Sequence, residues 1–99
     1  MNDTRLKLME AIARRRIVST HYNGQEMALA PHQMFERHGA LFVSALNLGK
    51  NFRSEEERRL GHFKLDGLGE TMVKEEGFDP LPDFQPGAPS DKDILLLAV

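Results

Sequence analysis

The chain has 99 residues, 40% of them apolar and 28% charged, with a formal net charge of −2. That is the length of one domain with an ordinary globular composition, which excludes a disordered chain and a two-domain one. The absence of Cys excludes a disulfide framework, a thiolate zinc site and a thiol nucleophile. No apolar run approaches the roughly 20 residues that span a bilayer. The opening Met1-Asn2-Asp3-Thr4-Arg5 has no basic segment followed by an apolar one, so the expectation is a cytoplasmic protein with no membrane partner. Charge is unevenly placed. Residues 1–64 hold 11 Lys/Arg against 7 Asp/Glu, and residues 65–99 hold 2 against 8. A basic first part invites nucleic acid as a partner, and an acidic tail can compete with phosphate for it.

The first element reads as a helix capped by Asp3 or Thr4, with Leu6, Met9 and Ala13, beside Leu8 and Ile12, at the spacing of one buried stripe. Arg14-Arg15-Arg16 closes it and suits the negative end of the helix dipole, which predicts a solvated helix end. Ile17 to Tyr22 is rich in β-branched and aromatic residues and runs into Asn23-Gly24, a strong hairpin signal, with residues 26–30 as the return strand. Pro31 cannot donate to a ladder and predicts a bend or an edge. Residues 33–36 and 40–46 flank Arg37-His38-Gly39 as a second hairpin, the near-continuous apolar run 40–46 being the expected most buried strand. A long polar connection follows from Asn47 to Leu60, in which Ser54-Glu55-Glu56-Glu57 has the spacing of a capping box. Residues 62–66 alternate as a strand, 71–74 read as another, and Phe42 and Phe63 are expected in the core. The last part is Pro-rich and acidic, and it ends in the apolar Ile94 to Val99, a run that must dock on this domain or on a partner chain. The expectation is a mainly β domain. A small SH3/Sm-like β-barrel of about five strands with an N-terminal α-helix occupies 1–78, and an irregular Pro-rich tail occupies 79–99.

From about Leu6 to Phe84 the order of residues resembles a WYL domain, the Sm/SH3-like barrel module of bacterial transcription regulators. The resemblance rests on Leu8-Met9-Glu10-Ala11-Ile12, Tyr22-Asn23-Gly24, Leu29-Ala30-Pro31, Leu41-Phe42-Val43 after Gly39, Phe63-Lys64-Leu65-Asp66, and Phe78 with Pro80, Pro82 and Phe84. It would be a divergent, stand-alone copy, without the helix-turn-helix that such regulators often carry. The resemblance implies a surface of basic and polar groups that binds a negatively charged ligand such as single-stranded nucleic acid or a nucleotide. It also places Tyr22 and His32 near that surface. Three positions where the family carries Arg hold Met27, Gly61 and Gly67 instead, which removes three bidentate phosphate forks. Arg37, Arg58, Arg59, His62 and Lys64 are the basic side chains placed to take over. Strand alternation points His62 and Lys64 outward, opposite to Phe63.

The four His residues are spaced by 11, 6 and 24 positions with no carboxylate at ligand spacing, so no metal is expected. Gly49-Lys50 lacks the remaining residues of a phosphate-binding loop, and no Ser, His and Asp are arranged as a nucleophile and base. The sequence therefore predicts a non-catalytic regulatory module without cofactors. The alternative is a degenerate barrel used for protein interaction or homo-oligomerisation through its apolar end, which the acidic last third and the missing arginines favour.

Overall fold

The computed structural model describes residues 3–22, 24–49 and 60–99. Among the described residues are one helix, α1 (Thr4–Arg14), and six strands: β1 (Arg16–Tyr22), β2 (Gln25–Arg37), β3 (Ala40–Asn47), β4 (Gly61–Lys64), β5 (Met72–Gly77) and β6 (Ile94–Ala98). A 3-10 turn, Leu65–Gly67, follows β4. All strand pairs are antiparallel, in the order β4-β3-β2-β1-β5, and β6 pairs with β2. The protein is thus mainly β with an N-terminal helix, as its composition of β-branched runs implies. The ladder does not close on itself: β4 and β5 are the two ends of its path among the described residues. α1 is too short to cross a membrane, and no described helix is long and apolar enough to do so. The capping-box segment 54–57 lies outside the described residues.

α1 starts where its sequence signals it. The Asp3 side chain accepts a hydrogen bond from the Leu6 N–H at 3.2 Å, satisfying one of the orphan donors of the first turn. The helix ends as Arg15 turns into the left-handed region (φ 54°) and its N–H returns to the Ile12 carbonyl. Its buried stripe is Leu8, Ala11 and Ile12, whereas Leu6, Met9 and Ala13 face solvent. Two stripes satisfy helical spacing, and the one containing the small Ala11 is turned inward. Lys7, beside it, donates to the Thr71 carbonyl at 2.9 Å and ties this face to the segment before β5.

The two hairpins follow their turn residues. Tyr22 pairs with Gln25 around Gly24 (φ +79°), and Arg37 pairs with Ala40 around His38 (φ 51°) and Gly39 (φ +79°). Positive φ at both loop positions of the second hairpin is what a two-residue connection of twisted strands requires. The segments on either side of Pro31 form one 13-residue strand rather than two. β3 runs along one side of it from Leu29 to Arg37, while on the other side β1 ends opposite Leu29 and β6 begins opposite Gln33. Pro31 sits where that side changes partner and where the β2–β3 register shifts, so the missing N–H breaks no continuous ladder.

One face of the sheet packs on α1. Its centre is Leu8, Ala11, Ile12, Val18, Leu29, Met34, Val43, Ala45, Leu65 and Leu68, with Phe63, Leu97 and Val99 among the half-buried residues around it. The apolar end of the chain therefore docks in cis as a strand of the same sheet. Phe42 is not part of this centre: it lies half-buried on the opposite face, stacked on Phe35 at 5.4 Å. The assignment of the helix stripe has a direct check by urea unfolding. Ile12→Ala leaves a cavity and is expected to cost about 2–5 kcal/mol, whereas Leu6→Ala stays within about 0.5 kcal/mol. The reverse ranking would mean the helix is rotated.

Candidate ligand-binding site

Alternation along β2 sends Met34 into the core and Gln33, Phe35 and Arg37 to the other face, and residues directly opposite across antiparallel strands share a face. Gln33, Ser44 and His62 form one cross-strand row, and Phe35, Phe42 and Lys64 form the next. Arg37 reaches over this second row, with its guanidinium carbon 5.2 Å from the Phe35 ring centre and 5.4 Å from that of Phe42. His62 meets the Phe35 ring edge-on at 5.3 Å. Arg37, His62 and Lys64 are thus brought together around two aromatic rings.

This face is partly covered by residues 78–93. Arg37 donates from Nε and Nη2 to the two carboxylate oxygens of Asp93, at 2.9 and 2.8 Å. The Asp93 side chain is fully enclosed while that of Arg37 stays 34% exposed. The fork of charge-assisted bonds holds the Asp93 carboxyl below its usual range. Gln33 exchanges two hydrogen bonds with Gly87, accepting from its N–H at 3.2 Å and donating to its carbonyl at 3.0 Å. Burial followed by the charge of Arg37 pushes the His62 imidazole down, and Asp93 partly offsets this.

His32 stands apart from the surface set. It is fully buried, and its ring lies between Phe78 and Phe84, with centroid distances of 5.2 and 5.0 Å. Its Nε2 accepts the Leu81 N–H at 3.0 Å, which fixes the tautomer, so Nδ1 carries the proton and donates to the Ala30 carbonyl at 2.8 Å. Both ring nitrogens are spent, and the side chain expected at a ligand surface is a buried anchor for residues 78–84. Desolvation pushes its pKa down, against a smaller opposing effect of the Ala30 bond.

Tyr22 is also displaced from the set. It packs half-buried against the core, edge-on to Phe63 at 5.5 Å. The same two rings lie against two glycines at positions where the resemblance implies arginine. A Cβ at Gly67 would come within 3.0 Å of the Tyr22 ring, and one at Gly61 within 3.2 Å of the Phe63 ring. Met27, at the third position, is packed on the core. Arg58 and Arg59 lie outside the described residues. Asp93 and the two phenylalanines of this face were missed in the sequence. The phase of Phe35 relative to Met34 was the available signal for one of them.

No protein-family model matches the chain, and no curated protein or solved structure matches it. Among the described residues, no cluster of three or more His, Asp or Glu is placed to hold a metal ion.

The neutral, doubly bonded His32 has a consequence for stability. A group whose folded pKa lies below its ordinary value of 6.5 contributes stability that is complete above that value and is lost as pH falls toward the folded pKa. His62 acts in the same direction, while Asp93 titrates only below its ordinary 3.8. The melting temperature is therefore expected to fall between pH 7 and pH 5. His32→Gln, whose uncharged amide carries both N–H donors and a carbonyl acceptor, should reduce that slope, and an unchanged slope would refute the assignment.

Proposed function

We propose that the chain is a non-catalytic regulatory module of the WYL type, acting in transcription regulation. It binds a negatively charged ligand, single-stranded nucleic acid or a nucleotide, on the face built by the second half of β2 with β3 and β4. The long β2 shared among β1, β3 and β6, and the 3-10 turn between β4 and β5, support a small barrel related to the SH3 and Sm folds. The observation that carries the ligand reading is Arg37. Its planar guanidinium lies over two aromatic rings and already grips an oxyanion of this same chain in a bidentate fork. Such a fork fits a phosphate as well as a carboxylate.

His62 and Lys64 stand in the adjoining strand positions, and Phe42 is half-buried rather than enclosed. Cations interleaved with rings are the composition of a surface that tracks a phosphate backbone and stacks bases. Asp93 is then an internal competitor, which an incoming phosphate displaces or joins on the remaining guanidinium donors. Recognition of this kind needs no nucleophile and no metal.

Titration of a labelled single-stranded DNA oligomer into the full chain tests the reading. Binding is expected at about 50 mM salt and should weaken with a log–log slope of about −0.7 per phosphate neutralised. Lys64→Ala, at an exposed position, should lower that slope by about one such step. No binding at low salt, or binding that ignores both added salt and the loss of Lys64, would sink the proposal.

A further inference from the structure

Residues 85–93 form a strap on the candidate face that is anchored at both ends. Before it, Phe78 and Phe84 flank the buried His32, whose Nε2 accepts the Leu81 N–H. After it, β6 pairs with β2, and Leu97 and Val99 pack on the core. Neither anchor uses Arg37, His62 or Lys64. Between the anchors every residue from Gln85 to Lys92 is exposed. Among the described residues, the strap's hydrogen bonds to the sheet are those of Gly87 with Gln33 and of Asp93 with Arg37. Few buried contacts and an exposed backbone place such a segment at the low end of local stability.

Both contacts have the chemistry of a nucleotide. The Asp93 carboxylate offers two oxygens to the Arg37 fork, as a phosphate does. Gly87 offers a backbone N–H and C=O to the Gln33 amide, the adjacent donor and acceptor that the edge of a nucleobase also presents to glutamine. With the strap in place Gln33 is 5% exposed and the Asp93 side chain is enclosed. We infer that residues 85–93 are an autoinhibitory strap, a pseudo-ligand in cis that single-stranded nucleic acid must lift in order to bind. This regulation rests on the ligand reading of the same face and adds a residue to it. In the open form the Gln33 amide joins Arg37 among the groups that contact the ligand. Because both ends stay anchored, opening breaks the Gly87 and Asp93 contacts and leaves the sheet folded. The apparent affinity is then the open-state affinity scaled by the open fraction.

Amide exchange of the full chain, with and without a single-stranded DNA oligomer at about 50 mM salt, tests the strap. Bound ligand ordinarily slows exchange where it sits. Here exchange at residues 85–93 is expected to speed up as the oligomer is added, while α1 and β1 keep their protection. Asp93→Asn removes the charge from the fork and should tighten oligomer binding about tenfold or more. Asp91→Asn removes an equal charge from an exposed position of the strap and should change the affinity far less. The measurement on the parent chain decides the matter even if Asp93→Asn fails to fold. Suppose the oligomer binds but exchange at 85–93 slows or stays the same, or Asp93→Asn binds no tighter than Asp91→Asn. The strap is then a fixed part of the fold, and this inference is overturned while the ligand reading stands. An oligomer bound by neither the parent nor Asp93→Asn overturns the ligand reading, and the strap's role with it.

Discussion

The constraint on which this fold depends is the satisfaction of polar groups in the second half of β2. From Leu29 to Phe35 the strand is buried, and that stretch includes His32 and Gln33. Burying an imidazole and an amide without partners would cost several kcal/mol. Residues 78–93 remove that cost by delivering the Leu81 N–H to His32, both backbone groups of Gly87 to Gln33, and the Asp93 carboxylate to Arg37. The chain then turns back as β6 and closes the same strand from the side. No buried side-chain polar atom among the described residues is left without a partner. The Pro-rich stretch is thus a structural member: its irregular backbone is what lets single N–H and C=O groups be aimed at separate side chains.

What was legible in the sequence was local. The Asp3 cap, the Gly24 and Gly39 turns, the phase of His62, Phe63 and Lys64, and the need for the apolar end to dock all follow from interactions a few residues long. What was not legible depends on distance or on a choice between equivalent patterns. Leu6-Met9-Ala13 and Leu8-Ala11-Ile12 are both acceptable helical stripes, and only contact with the sheet decides between them. Pro31 looked like a break because the exchange of β1 for β6 beside it is a tertiary fact. Arg37 and Asp93 are 56 positions apart, and nothing in the composition of either segment announces their pairing. Phe42 was assigned to the core because it is aromatic and in a strand, yet the facing row holds a second ring that it covers instead.

The candidate site illustrates the same division. The WYL resemblance implies arginine at positions 61 and 67, where this chain has glycine. In the fold these positions are coupled to a packed pair of rings, because Tyr22 and Phe63 lie against the two glycines. An arginine introduced at either place would therefore press on this packing. Arg37, His62 and Lys64 gather elsewhere, around Phe35 and Phe42.

The cross-chain dependence of β2 has a consequence for biosynthesis. The strand leaves the ribosome well before Leu81, Gly87 and Asp93 do, so a nascent chain truncated before them holds α1 and two hairpins but no means of dehydrating His32 and Gln33. The central strand of the sheet is consequently completed late. A chain ending before Leu81 would leave the His32 Nε2, the Gln33 amide and the Arg37 guanidinium without these partners.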